Sequence, residues 1–164
     1  MNRRRCKTSR FPQIPGAPSP LIVQAVRPVV FSDVDPMGIV WFGRYALFVE
    51  YGVCELERQT GLSFENLRKE GLFAPVAQFS INYLQPMRMG DEITIRVSMI
   101  WTGAAKINTE YQLSRQDGTV CACAYATQLL MDAATGEPCW ALPPFIEAFN
   151  SKWVSGGFAC LQQK

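Results

Sequence analysis

The stretch Phe31-Ser32-Asp33-Val34-Asp35-Pro36-Met37-Gly38-Ile39-Val40-Trp41-Phe42-Gly43-Arg44-Tyr45 offers the most chemistry in the chain. Turn formers run from Ser32 to Gly38, and a helical pattern opens at Phe42. Asp35 therefore lies where the chain approaches a helix amino terminus, whose free N–H groups and positive dipole end favour negative charge. The candidate donors are the amides near Phe42 to Tyr45. A carboxylate there can attack a carbonyl or activate water while the amides hold the oxyanion that develops. Taken alone, Asp35 reads first as an ordinary turn or N-cap aspartate; it is the full motif that turns the reading to catalysis. Asp33 reads as a turn acid. Glu50, on the helix, is a second candidate acid, with a supporting or structural role as its alternative. Glu55 and Glu57 read as solvated helix residues.

The chain contains no histidine. That removes Ser-His-Asp and Cys-His catalysis in their usual forms, His-based zinc sites and dehydration through a histidine base. Carboxylates, hydroxyls, lysine and backbone dipoles remain. No P-loop and no dinucleotide glycine fingerprint occurs. No metal or redox cofactor is implied.

The elements that must hold these residues follow from periodicity. Gln24 to Phe31 reads as a strand, with structure beginning near Leu21. Tyr45, Phe48, Val49, Gly52, Val53 and Leu56 recur at threes and fours, giving a helix from Phe42 to Thr60 with Gly61 as its C′ residue. It is apolar over more than one face and carries Gly52 in its middle, as a helix closely wrapped by other structure would. Ser63 caps a second short helix, Ser63 to Glu70, that Gly71 ends. Strands then follow over Phe73–Leu84, Glu92–Trp101, Ala105–Arg115 and Thr119–Met131, with turns at Met89-Gly90-Asp91, at Gln116-Asp117-Gly118 and over Asp132 to Gly136. Their spacing suits a meander. Pro143 to Phe149 reads as a short terminal helix with Pro144 near its start. This order is α+β: one antiparallel sheet and one buried helix.

At 164 residues the chain is one domain in length. Residues 1–20 form a basic, Pro-rich leader expected to be mobile, 21–150 the domain, and 151–164 a C-terminal tail. The net charge is +2 with 16 basic and 14 acidic residues. Five of the basic residues (Arg3, Arg4, Arg5, Lys7, Arg10) precede residue 11, so the body carries 11 against 14, or −3. There is no broad basic footprint for nucleic acid, no secretory h-region and no apolar run of membrane-spanning length. The 6 cysteines include no C-x-x-C pair, and they read as reduced thiols in a cytoplasmic protein.

The aspartate stretch resembles the hotdog-fold thioesterases of the 4-hydroxybenzoyl-CoA thioesterase type. Their signature is an aspartate, two variable residues, Gly-[Ile/Val]-Val, an aromatic, and a tyrosine shortly after. Asp35, Gly38, Ile39, Val40, Trp41 and Tyr45 match in order. A strand ending in proline before Gly-Asp, here Pro86 and Gly90-Asp91, is a supporting feature. The resemblance covers roughly residues 22–150. It implies a hotdog fold, in which a five-stranded antiparallel sheet wraps a long central helix. Subunits pair sheet edges, as a homodimer or homotetramer, with the sites at the interface. It further implies hydrolysis of an acyl-CoA substrate to a carboxylic acid and free CoA. Asp35 would be nucleophile or general base, and Gly38, Trp41, Phe42, Gly43 and Tyr45 would form the oxyanion and substrate-binding region. Phe79 and Tyr83 could join the aromatic residues around the acyl group. Arg88, Lys106 and Arg115 could meet the CoA phosphates. Short-chain relatives often carry histidine just after the motif's aromatic residue, where this chain has Phe42 and Gly43. The aromatic-acyl type can place a tyrosine where Phe42 stands. A hotdog module that binds acyl thioesters without turnover, and an enzyme for carrier-protein-bound acyl groups, are the alternatives.

Overall fold

The computed structural model describes residues 6, 9–12 and 14–162. Arg3, Arg4, Arg5 and Lys7 of the basic leader lie outside the described residues. The fold is a five-stranded antiparallel sheet against which one long helix packs. The strands are β1 (Leu21–Pro28), β3 (Val76–Tyr83), β4 (Glu92–Ile100), β5 (Lys106–Arg115) and β6 (Val120–Leu129). A separate two-stranded ladder joins β2 (Leu72–Phe73) to β7 (Met131–Asp132). The helices are α1 (Tyr45–Thr60), α2 (Phe64–Lys69) and α3 (Pro144–Val154). This is the hotdog arrangement.

The sheet order is β1-β4-β5-β6-β3. The meander expected over the last four strands therefore holds only for β4-β5-β6. The chain leaves β3 at one edge and crosses the end of the sheet, through Leu84 to Asp91, to start β4 beside β1. Periodicity reports which face a side chain occupies, not which strand lies next door, so this crossover was not readable. The first strand also begins and ends earlier than expected. Pairing runs from Leu21↔Met99 to Pro28↔Glu92, and Phe31–Asp33 forms a 3-10 turn instead.

Register sets the inner face. Val23, Val97, Tyr111, Ala124 and Ile81 form one row across all five strands. Ile93, Ile95, Val97 and Met99 are buried because alternation on β4 turns every second residue to the helix. α1 lies over β1 and β4. A Cβ placed on Gly52 would come 2.6 Å from Val97 Cγ2 and 2.8 Å from Ile95 Cγ2. Gly52 is thus the point of close backbone approach, which accounts for a poor helix former in mid-helix.

The ends of the helices follow local rules. Gly61 closes α1 at φ +77°, donating its N–H to Glu57 O, and Ser63 caps α2 by accepting the Asn66 amide. Helix α3 runs to Val154, past the expected stop at Phe149. Trp153, Phe158 and Leu161, within the stretch read as tail, are buried. Trp153 Nε1 donates to Ser19 O at 3.0 Å, so the two ends of the chain meet.

The outer face of the sheet is polar and partly covered by the leader. Ser9 Oγ and the Arg10 amide both donate to Glu110, at 2.6 and 2.8 Å. Arg10 also reaches Ser80 Oγ at 2.6 Å and sits over the Tyr125 ring. Cys6 is paired with Cys123 as a disulfide, their Cα atoms 5.9 Å apart. The all-reduced reading therefore fails for this pair. The two lie 117 residues apart, and only docking of the leader on β6 brings them together.

Gly52→Ala is expected to destabilise the fold by about 1–3 kcal/mol through overpacking against β4. Helix propensity alone predicts the opposite sign, a gain of about 1 kcal/mol. Urea unfolding of the two proteins decides between them.

Candidate active site

Asp35 begins a tight turn built by its own residues. The Asp35 N–H donates to Ile39 O and the Gly38 N–H to Asp35 O, both at 2.9 Å. Gly38 adopts φ +73°, which glycine occupies at little cost. Asp35 Oδ1 accepts the Met37 amide at 2.8 Å, while Oδ2 has no hydrogen-bond partner among the described residues. The turn is tied down by the Val34↔Val40 and Ile39↔Arg88 bridges and by Val40 N–H to Met87 O at 2.8 Å.

The chain then enters a 3-10 turn, Phe42–Arg44, before α1 begins. The helix thus starts three residues later in α form than its periodicity suggested. The Arg44 amide donates to Trp41 O at 2.8 Å and that of Tyr45 to Phe42 O. The amides of Phe42 and Gly43 have no partner among the described residues, as the first N–H groups of any helix do not. A Cβ on Gly43 would clash with the Trp41 ring, so the indole packs directly against the Gly43 Cα.

An aromatic group surrounds these donors. Trp41 and Phe42 are tilted at 4.9 Å between ring centroids. Tyr45 meets Tyr83 of β3 edge-on at 4.9 Å, and the Tyr83 hydroxyl donates to Phe42 O at 3.3 Å. Tyr45 is buried, and burial pushes its hydroxyl up to about 12, with the Met87 amide pulling the other way.

The charged candidates separate. Arg88 is exposed and lies opposite Ile39 in the bridge, beside the Asp35 turn. Arg115 lies at the same end of the sheet, paired with Asp117 at 3.1 Å. Lys106 stands at the other end of β5, about 30 Å away along the strand, and one chain does not bring it to Asp35. Glu50 is exposed on α1 and faces Glu57 and Cys54, whose groups it pushes upward.

Asp33 is a turn acid, in the 3-10 turn Phe31–Asp33, and a buried one. It is 1% exposed and pairs with Arg27 at 3.0 Å. Glu55 pairs with Arg58. Glu57 is half-buried in the wall of an open cleft with Leu56, Leu62, Phe64, Ile107 and Tyr111. Burial, then Glu50, raises its carboxyl. Arg27, Tyr83's bond to the helix start and Glu57's burial were missed because each depends on packing between distant segments. Arg44 carried a local signal: a cation at a helix amino end opposes the dipole.

The sequence pattern of the thioesterase-like superfamily matches residues 29–151, and the chain belongs to that superfamily. It is 29% identical over 116 residues, 69% of each chain, to a presumptive esterase of Synechocystis. Among solved structures it superposes on the 1,4-dihydroxy-2-naphthoyl-CoA thioesterase of Synechocystis with a TM-score of 0.69 at 18% identity, covering 78% of this chain and 95% of that one. A Staphylococcus aureus protein solved in complex with CoA gives 0.73 at 15% identity, covering 90% and 89%.

The raised tyrosines give a test of the packing around the site. Tyr45 and Tyr111 are both lifted to about 12 by burial, against about 10 in the unfolded chain. Between these values the unfolded state has released protons that the folded state keeps. Stability therefore falls as pH rises through that window, by up to about 1.4 kcal/mol per unit for each tyrosine. Tyr45→Phe should fall less steeply between pH 10 and pH 12, by up to about 1.4 kcal/mol per pH unit, when urea unfolding is followed.

Proposed function

We propose that the chain hydrolyses acyl-coenzyme A thioesters to a carboxylic acid and free coenzyme A at the Asp35 turn. One observation carries this reading. A carboxylate with an open oxygen and two unpartnered amides, those of Phe42 and Gly43, lie on one short loop in a chain of the thioesterase-like superfamily. Gly38 gives the turn its shape, and Trp41, Phe42, Tyr45 and Tyr83 surround the acyl group.

The Phe42 and Gly43 amides would hold the thioester oxygen as it gains negative charge. Asp35 then acts in one of two ways. As nucleophile, its carboxylate attacks the carbonyl carbon, the C–S bond breaks, and water hydrolyses the resulting mixed anhydride. As general base, it takes a proton from the water that attacks. Coenzyme A leaves as a thiolate, a good leaving group, so no histidine is needed to protonate it. Arg88 is the phosphate contact this geometry favours, while Lys106 could serve only from a second subunit. The reading calls for no metal or redox cofactor. No helix among the described residues is long and apolar enough to cross a membrane.

A homodimer belongs to the same reading. Among the described residues β3 pairs only with β6, and it exposes Val76 (58%), Phe79 (40%) and Tyr83 (44%). Leu47 and Tyr51 are exposed on α1. A long apolar edge strand of this kind is a template for pairing with another chain. An antiparallel partner at β3 would continue the sheet into a second subunit.

Turnover is expected on at least one of a panel of aryl- and aliphatic-CoA esters, followed by chromatography, and Asp35→Asn should lower kcat by about 100-fold or more without unfolding. An Asp35→Asn protein as active as wild type would remove Asp35 from the mechanism and make Glu50 the next candidate. Carrier-bound esters turned over in place of CoA esters, or tight binding with no turnover, would replace the substrate or the activity. Phe79→Glu should sediment as a monomer where wild type sediments as a dimer.

A further inference from the structure

Asp33 joins the two halves of the proposed site. Its N–H donates to Val30 O at 2.9 Å, and its carbonyl accepts the Trp41 amide at 2.9 Å. Its side chain works in the same place: Oδ2 accepts the Val30 amide at 3.1 Å and Oδ1 accepts Arg27 Nη2 at 3.0 Å. Val30 is where the chain leaves the sheet for the loop, and Trp41 is where it enters the helical turn. The loop between them, the Asp35 turn included, is closed at its base by this residue, while Ile39 and Val40 tie its far side to Arg88 and Met87. Arg27 extends the connection, because its guanidinium stacks on Phe48 of α1 at 4.1 Å. Strand β1, the loop and the helix are thereby pinned at one buried ion pair.

We infer that the Arg27–Asp33 pair is a positioning device: it sets the Asp35 carboxylate relative to the Phe42 and Gly43 amides and contributes to kcat without touching substrate. The inference rests on the proposed thioesterase reading. Trp41 directly precedes the two amides: holding its N–H fixes the backbone from which the Phe42 N–H and then the Gly43 N–H are presented. A shift of about 1 Å between a reacting group and its partners is enough to cost about 100-fold in rate. Asp33 is removed from solvent at 1% exposure, while the Arg27 side chain keeps 19%. Arg27 Nη1 is buried without a partner, so the pair does not satisfy every donor it buries. A buried ion pair is seldom the most stabilising choice for such a place, since apolar residues of similar volume often do as well. What an apolar pair lacks is the bond to the Val30 amide.

Two variants separate positioning from stability. Asp33→Asn leaves the Arg27 charge buried and is expected to lower both Tm and kcat. The double variant Arg27→Met with Asp33→Leu removes the buried charges and keeps an apolar fill. It is expected to regain most of the lost Tm while kcat stays about 100-fold down and KM for the CoA ester stays within about threefold. Hydrogen exchange supplies a readout independent of turnover. The Trp41 amide, protected by Asp33 O in wild type, should exchange at least tenfold faster in the double variant while the β4 and β5 amides do not change. A double variant whose kcat recovers along with its Tm, or whose Trp41 amide stays protected, overturns the inference. If wild type hydrolyses no ester the thioesterase reading fails, and the exchange rates still decide whether the pair orders the loop.

Discussion

The close approach of α1 to β4 is the constraint on which the rest of the structure depends. Gly52 has no side chain, so Val97 and Ile95 can occupy the space where a Cβ would stand. The helix therefore lies low on the β1–β4 half of the sheet. Its first turn is delivered to the sheet end where the loop from β1 and the crossover from β3 meet. That meeting point is where Val40 bonds Met87 and Ile39 faces Arg88. A helix held higher would leave its first amides, the Asp35 turn and Tyr83 without their present relation. Interiors packed this densely transmit small displacements to the site rather than absorbing them.

Two aspartates two residues apart show how environment divides labour. Asp33 is fully enclosed and saturated by an arginine and an amide. Asp35 spends one oxygen on its own turn and leaves the other unbonded. A carboxylate saturated by hydrogen bonds and a counter-ion has little nucleophilicity left to offer, whereas a half-bonded one on a rigid turn keeps an open lone pair at a fixed position. That contrast, rather than the identity of the residue type, favours Asp35 over Asp33 as the group proposed to react.

How much was legible depended on whether one face was buried. β4 could be read residue by residue because Ile93, Ile95, Val97 and Met99 alternate against polar neighbours, and the helix ends were marked by Gly61 and Ser63. β3 shows the same alternation, yet Val76 and Phe79 are exposed; apolar alternation cannot distinguish a core from a surface awaiting a partner. The loop carrying Asp35 was legible from its turn residues and helix start. Its anchorage was not, since Arg27 and Asp33 are tied through burial, and Tyr83 reaches Phe42 from the far edge of the sheet. Long-range pairings such as Cys6 with Cys123, or β3 with β6, leave no local trace at all.

The two faces of the sheet lead to different expectations for association. On the outer face, Ser9, Arg10 and Cys6 already occupy Glu110, Ser80, Tyr125 and Cys123, so part of that polar surface is closed by the chain itself. The inner side keeps its unsatisfied features together: the free edge of β3, the exposed Leu47 and Tyr51, and the mouth of the cleft containing Glu57. A second copy meeting the first along β3 would bury apolar surface without displacing the leader. Association through the outer face would first have to remove the leader's hydrogen bonds to Glu110. The proposed dimer therefore follows the side on which burial is still to be gained, and it is the same side on which the open carboxylate and amides stand.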